Sequence, residues 1–280
     1  MRVDLSRYST FFKLPALKQD GGKLYFVEPV QAELYEKALT RDMNSFKKFL
    51  KRWPGLYYFL LYFASTIFFI GLSVKGALRK AFPAGFHNGK IILNVGSGPR
   101  TYPHLTGIIN VDAHPFSNVD IVADVTNLPF KDGVADMVIA ESLLEHVPEV
   151  GKAVSEISRV IKPGGYVYAM VPFLYPFHES PGDYYRWTMP GWKHAFPDFE
   201  VVDSGARSGP MSAILSILMH YFAIVLSFGQ HGLYLVLVNI FMVVLMPFKV
   251  LDVIFKPFPQ TIDAAAFIYF LGKKHGKETL

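Results

Sequence analysis

Between Lys90 and Arg207 the chain sets out short apolar runs, each bounded by turn-forming or helix-like polar segments: Ile91–Val95, Gly107–Asp112, Asp120–Ala123, Ala135–Ala140, Tyr166–Val171 and Phe199–Val202. Val- and Ile-rich runs of about four to eight residues, separated by loops or helices, are the pattern of buried parallel strands joined by crossovers. They predict an α/β fold built on an open, doubly wound, mostly parallel sheet. The clearest crossover helix lies between Pro148 and Lys162. There Val150, Val154, Ile157, Val160 and Ile161 recur at helical spacing before Lys162-Pro163-Gly164-Gly165 stops it.

Hydrophobic residues make up 51% of the 280 and charged ones only 18%, with a mean hydropathy of +0.26. A disordered chain is excluded, because it needs the reverse balance. So is the usual make-up of a freely soluble enzyme, whose charged share is about 25%. The apolar surplus is concentrated in stretches without Asp, Glu, Lys or Arg. One runs from Trp53 to Val74; the other runs from Gly209 to Phe248 and is divided into two arms by Gly229, Gln230, His231 and Gly232. A helix needs roughly 20 apolar residues to cross a bilayer. The first stretch reaches that length and the arms are borderline, so membrane contact is the expectation. Buried helices or an oligomer interface are the alternative, since both are also apolar all round. The absence of cysteine excludes a disulfide framework, a zinc ribbon and a cysteine nucleophile. The net charge of +5 is modest and much of the basic charge flanks the apolar stretches, so no nucleic-acid partner is expected.

These features divide the chain into a polar or amphipathic extension over 1–52, an apolar membrane-associating segment and linker helix over 53–89, an α/β domain over 90–207 plus 262–275, and an inserted apolar hairpin over 208–261. Val30 to Trp53 reads as an amphipathic helix ending in Lys47, Lys48, Lys51 and Arg52. The run Ala266–Lys273 reads as a last, antiparallel strand beside Phe199–Val202. The apolar block falls between these two strands, so its arms must leave the sheet edge and return to it. Arg207, Lys249 and Lys256 at its base, with an uncharged tip, follow the positive-inside pattern and place the base and the α/β domain in the cytoplasm. Trp53–Val74 has basic residues at both ends and is expected to lie along or dip into one leaflet, where anionic lipid headgroups would meet them.

The chemistry starts where Ile91–Val95 runs into Gly96-Ser97-Gly98. Glycines at the carboxyl end of a strand let a ligand approach the backbone closely. Thr101 stands where a dinucleotide fingerprint wants its third glycine, which disfavours nicotinamide and flavin cofactors. Asp112 ends the next run and can accept from both hydroxyls of a ribose. Asp124 follows Ile121-Val122-Ala123 and precedes Leu128-Pro129-Phe130, which suits the amino group and faces of an adenine. Singly, each acid reads as a cap or a loop residue. In order, at the ends of consecutive strands, they point to one pocket.

The run from Ile91 to Phe173 resembles the class I S-adenosylmethionine-dependent methyltransferases, most closely the broad type 11 group. The matching motifs are LNVGSGP, NVDAHP, ADVTNLPF, DMVIAESLLEHV and ISRVIKPGGYVYAMVPF, and the match extends into FHESPGDYYRWT. The resemblance implies a Rossmann-like sheet of seven strands and S-adenosyl-L-methionine as cofactor. It implies that Gly96 and Gly98 pass beside the methionine part, with Asn94 and Ser97 also in the cofactor site, that Asp112 holds the ribose, and that Asp124 with Leu128 holds the adenine. Ala140 and Glu141 would line the methyl-transfer site. Two departures stand out: Asn94 occupies a place where the family usually has an acid, and only Pro99–Thr106 is left for the first crossover helix.

The polar cluster after the fifth strand is where the family places its acceptor. His178 is the candidate base, able to take a proton at neutral pH. Asp183 would orient it, Tyr184 and Tyr185 would wall the acceptor, and Arg186 would grip an anionic group such as phosphate. Alternatively, Asp183 and Arg186 simply pair to hold the loop. His146 is a second candidate for catalysis, or else a cap or packing residue. No HxxxH or HExxH pair is present, so no metal is expected. An enzyme of this kind at a membrane would take a lipid, a lipid-linked glycan or a quinone-like ring. The competing readings are a soluble methyltransferase whose apolar helices make a homo-oligomer, and a non-catalytic membrane scaffold with a vestigial pocket.

Overall fold

The computed structural model of the chain describes residues 9–27, 65–85, 89–100, 102, 105, 107–178 and 182–276. The helix expected over Val30–Trp53 and the 53–64 part of the first apolar stretch lie outside the described residues.

Nine strands form one sheet: β1 (Lys18–Asp20), β2 (Lys23–Tyr25), β3 (Ile92–Val95), β4 (Ile108–Asp112), β5 (Ile121–Val122), β6 (Ala135–Glu141), β7 (Ile161–Pro172), β8 (Phe199–Ser208) and β9 (Phe267–Lys274). Their order is β1-β2-β5-β4-β3-β6-β7-β9-β8. Strands β2 to β7 are mutually parallel, and β9 runs antiparallel to both its neighbours. The seven strands β3–β9 make the Rossmann-like arrangement, with the direction of winding reversing between β3 and β6. Open α/β sheets bind their ligands beyond the strand ends at such a switch point. The β1–β2 hairpin adds to the edge at β5, so part of the polar N-terminal extension is sheet. Its exposed Lys-Gln-Asp strand has no apolar alternation by which a sequence could announce it.

Both faces of the sheet are covered, as parallel sheets require. On one face Leu93, Val95, Ile109, Val138 and Ala140 bury against α2 (Val150–Val160) and α3 (Met189–Ala195). On the other, Ile92, Ile108, Met137, Ile139 and Tyr168 bury against α1 (Val74–Ala81). The Gly96–Gly107 crossover from β3 to β4 has no helix among its described residues. The upstream helix α1 covers that face, capped by the Ser73 hydroxyl, which accepts from the Gly76 N–H at 3.2 Å. The Tyr168 hydroxyl donates to the Leu72 carbonyl at 2.6 Å and holds the entry to α1 on the sheet.

The end of the first apolar stretch therefore corrects one expectation. Thr66, Ile67 and Val74 are buried, Phe69 bridges Ser208 of β8, and the Ile70 N–H donates to the Arg207 carbonyl at 3.0 Å. This end of the stretch therefore packs on the α/β domain along the end of β8, and it is not a segment lying free along a leaflet.

The insertion is a helical hairpin, α4 (Pro210–Ser227) and α5 (His231–Leu245), turned at Phe228-Gly229. Helical structure continues after α5 to Phe255. Helix α4 buries Ser212, Ala213, Ser216, Met219 and Ala223 and exposes Ile214, Ile217, Tyr221, Ile224 and Val225. Helix α5 buries no residue at all. The hairpin is closed at its base by Asp252, whose carboxylate accepts from the N–H groups of Gly209 (3.1 Å), Met211 (2.8 Å) and Ser212 (3.2 Å). A carboxylate there satisfies donors that the first turn of a helix leaves open and suits its positive end. Two of the basic residues counted at the base face inward. Lys249 donates to the Ser65 carbonyl at 2.8 Å, and Arg207 lies over the Phe69 ring at 4.3 Å. They hold the base to the 65–71 segment, which removes them from the charge argument.

Candidate functional site

A cavity of about 1320 Å³ opens at the carboxyl ends of β3, β4, β5 and β6. Gly96, Ser97 and Gly98 form its floor beyond β3, with Gly96 and Gly98 at φ +65° and +55°. A Cβ on Gly96 would fall 2.5 Å from Leu143, while one on Gly98 would meet nothing within 4 Å. Gly98 is thus the point at which a ligand can touch backbone. Asp112 lines the next part of the wall. Its two oxygens accept from the N–H groups of Gly98 (2.7 Å) and His114 (2.8 Å), which fixes the carboxylate. Burial pushes its pKa up, against the lowering effect of those two bonds.

Asp124 caps the short turn Val125–Asn127. Its Oδ1 accepts from the backbone N–H and the hydroxyl of Thr126, both at 2.8 Å. It also lines the cavity, beside Phe116, Ala123 and Val125. Cap and binding residue are therefore compatible roles here. Leu128 is different: it is fully buried in the core, outside the cavity lining, and its N–H donates to Glu156 at 2.7 Å. Val125 and Phe116, in contrast, line the cavity beside Asp124. Asn94 lines the cavity, and its amide donates to Asn110 Oδ1 at 2.9 Å, so the residue joins β3 to β4. Ala140, in β6, is buried in the core and is not part of the cavity lining, whereas Glu141 is. The Tyr102 hydroxyl donates to Glu141 Oε2 at 2.7 Å; burial, reinforced by that carboxylate, pushes the phenol pKa far up. Ser142, next along, is held at φ +51°, and such outliers concentrate where a site imposes them.

The far end of the cavity is built from the turn Leu144–His146 and the loop after β7. His146 and His178 both line it, with ring centroids 5.1 Å apart. His178 Nδ1 lies 3.2 Å from Asp183, whose other oxygen and own Oδ2 are gripped by Arg186, the latter at 2.6 Å. Burial disfavours the Asp183 charge, but the bonds from Arg186 and the His178 N–H outweigh it and hold its pKa at about 2. Burial lowers the pKa of His178, against the raising effect of the Asp183 carboxylate. Beneath both rings sits Glu145, which is fully buried. Neither of its oxygens has a hydrogen-bond partner among the described residues, and burial pushes its pKa up to about 8.

Of the loop residues, Tyr184 lines the cavity and its N–H donates to the Glu145 carbonyl at 2.7 Å. Tyr185 turns away and donates to the Pro148 carbonyl at 2.7 Å. Arg186 spends its guanidinium on Asp183 and on the carbonyls of Tyr175 and Pro176, both at 3.0 Å. Of the two readings of Arg186, the structure favours the loop pair over the anion grip: Asp183 and Arg186 hold the loop, and through it the His178 ring. Glu145, Tyr102, Phe116 and Val125 escaped the sequence reading. Glu145 carries no local signal, since an acid near the start of a helical turn is commonplace; its burial is a property of the fold alone.

Residues 109–169 match a family model described as a methyltransferase domain. Among curated proteins, the chain is 32% identical over 120 residues to the tRNA (carboxymethyluridine(34)-5-O)-methyltransferase of Arabidopsis thaliana, a match covering 38% of this chain and 28% of that one. It is 32% identical over 110 residues to an uncharacterized methyltransferase of Mycobacterium sp. (strain KMS), covering 33% and 44%. The chain thus spans less than half the length of these relatives. Among solved structures, phosphoethanolamine N-methyltransferase 2 of Haemonchus contortus, in complex with S-adenosyl-L-methionine, superimposes with a TM-score of 0.44 at 16% identity, covering 97% of this chain and 73% of the other. That likeness is too loose to add to the topology.

Proposed function

We propose that this chain, a member of the class I S-adenosylmethionine-dependent methyltransferases, moves the methyl group of that cofactor onto an acceptor held at a membrane surface. The observation that carries the reading is the convergence of Gly98, Asp112 and Asp124, from the ends of three consecutive strands, on one cavity. The residues fit an adenosyl ligand. Gly98 leaves open space in front of its backbone, Asp112 is pre-oriented by two N–H groups, and Phe116 and Val125 offer apolar faces beside Asp124.

The cofactor supplies a methyl group already activated on a positively charged sulfur. What the chain contributes is alignment, worth up to about 7–11 kcal/mol when two reactants are held in line. Asp112 would hold the ribose, Asp124 the adenine amino group, and Gly96–Gly98 the methionine part, leaving the methyl near Glu141. An acceptor hydroxyl or amine would sit at the His146–His178 end, walled by Tyr184. The Nε2 side of His178 would receive its proton, with Asp183 positioning the ring.

The membrane part of the proposal draws on two features. Helices α4 and α5 expose Ile224, Val225, Val236, Ile240 and Val244, and Pro210–Ser227 and His231–Phe255 are long and apolar enough to cross a bilayer. The cavity also has an apolar wall of Ile67, Phe69, Met170 and Phe267, and α4 reaches this same cluster through Ala213. An apolar chain entering beside the hairpin would bring its polar head to the histidines, which favours a lipid, lipid-linked glycan or quinone-like acceptor. Both ends of the hairpin return to the sheet, so the α/β domain would lie on one side of the membrane.

Membranes containing the chain, incubated with methyl-labelled S-adenosyl-L-methionine, test this. Label should enter the organic-extractable fraction and be lost with Asp112→Ala. Label found only in water-soluble material would overturn the membrane acceptor. Failure to bind S-adenosylhomocysteine would overturn the cofactor site itself.

A further inference from the structure

We infer that Glu145, His146 and His178 form a binding site for one first-row divalent cation of the zinc class, set at the acceptor end of the cavity. The binding stands on the geometry of these three residues; only the use made of the cation rests on the methyl-transfer reading.

The argument begins with the protons on the rings. His146 Nδ1 faces the Gly182 carbonyl, which can only accept. His178 Nδ1 faces the Asp183 carboxylate at 3.2 Å and the Pro176 carbonyl at 3.3 Å, which only accept and lie closer to it than the Arg186 Nη2 donor at 3.5 Å. Each ring therefore carries its hydrogen on Nδ1 and presents a bare lone pair at Nε2. Both Nε2 atoms lie 3.9 Å from the same oxygen, Oε1 of Glu145. Two imidazole lone pairs and one carboxyl oxygen converge, and that carboxyl is fully buried with neither oxygen hydrogen-bonded among the described residues. Burying such a group without a partner is costly. A cation between the three atoms resolves the conflict, and their ligand atoms all lie within 4.8 Å of one another.

The surroundings have the form that metal-bound histidines take. A ligating imidazole commonly donates its other N–H to a carboxylate or a carbonyl, which fixes ring and tautomer. Here Asp183 serves His178 and the Gly182 carbonyl serves His146, with Arg186 holding Asp183 in turn. Two imidazoles and one carboxylate suit zinc, cobalt(II), iron(II) or manganese(II), and leave further coordination positions open. Those positions face the cavity that both histidines line. An acceptor hydroxyl bound there would lose its proton to water, and the oxygen lone pair would form the bond to the methyl carbon. The carbon–sulfur bond would break with its electrons going to sulfur, giving a neutral thioether. His178 would then be a ligand, and Asp183 its positioning residue.

The test uses the full chain in detergent micelles, without a histidine tag and stripped with a chelator. One equivalent of Co²⁺ should bind with visible ligand-field absorption and be displaced by Zn²⁺. His146→Ala, His178→Ala and Glu145→Gln should each abolish this uptake, and Asp183→Asn should weaken it by about 10–100-fold. Because Glu145 is buried, X-ray absorption on the zinc-loaded wild type supplies a readout needing no variant: two imidazoles in the first shell are expected. No uptake at micromolar Co²⁺ or Zn²⁺, a first shell without imidazole, or uptake unchanged in all three ligand variants would each overturn the site. S-adenosylhomocysteine binding on the same samples separates the two readings. Cofactor binding without metal overturns this inference alone, and metal binding without cofactor supports the site while overturning the methyl-transfer reading.

Discussion

The backbone N–H of Gly98 donates to Oδ2 of Asp112 at 2.7 Å, so the turn that ends β3 and the acid that ends β4 hold each other in position. Asp112→Ala removes both this brace and the acceptor for the ribose. Hydrogen bonds to charged groups contribute about 1.5–3 kcal/mol each, so S-adenosylhomocysteine affinity should fall by roughly 10–100-fold. Titration calorimetry measures it, with circular dichroism confirming that the sheet persists. Unchanged affinity would remove Asp112 from the site.

The pH dependence of that binding has a definite sign. Burial raises the Asp112 pKa above the ordinary 3.8. The ionised form accepts from the ribose, so affinity should be full above the raised pKa and decline as pH falls through it. In Asp112→Asn the decline should vanish over that acid range. Calorimetry from neutral to mildly acidic pH on both proteins decides the point; parallel curves would contradict it.

Asp136 makes a separate prediction about stability. Its carboxylate accepts from the Ile91 N–H (2.9 Å), Lys162 (2.8 Å) and Lys90 (3.2 Å), joining the start of β3 to β6 and β7. Burial opposes its charge, but these bonds outweigh burial and lower the pKa. Asp136→Asn should therefore cost about 1–3 kcal/mol at neutral pH. A depressed folded-state pKa gives stabilisation that is present above the unfolded value and lost as pH falls through the folded one. The gap between wild type and variant in chemical unfolding should accordingly close in acid.

The hairpin predicts membrane binding. Ile224, Val236 and Val244 are exposed on α4 and α5, and a lysine near the middle of a membrane helix costs about 2.5–3.5 kcal/mol. The triple substitution Ile224→Lys, Val236→Lys and Val244→Lys should release the chain from sedimenting lipid vesicles while S-adenosylhomocysteine affinity stays unchanged. Retention of the triple variant on vesicles would show that these faces do not touch lipid.

Much of the fold was legible because burial on both sides of a parallel sheet forces continuous apolar runs. Each of the six runs in 90–207 contains or overlaps a strand, and Ala266–Lys273 supplies most of β9. The β1–β2 hairpin was not legible, since an exposed edge strand needs no apolar pattern. The fate of residues 65–74 was equally hidden. An apolar stretch looks the same to the eye whether lipid or the edge of β8 covers it, and here the backbone pairing with Arg207 and Ser208 decides.

By itself the sequence determined most of the sheet and placed the glycine turn and two acids at three consecutive strand ends, since each depends on residues a few positions apart along the chain. Only the tertiary structure decided that Glu145 lies unpartnered beneath two histidines, that Arg186 serves Asp183 instead of a ligand, and that Asp252 closes the hairpin. The first and last of these join segments separated by tens of residues, and all three follow from which groups the packed chain takes out of water, a quantity no local pattern carries.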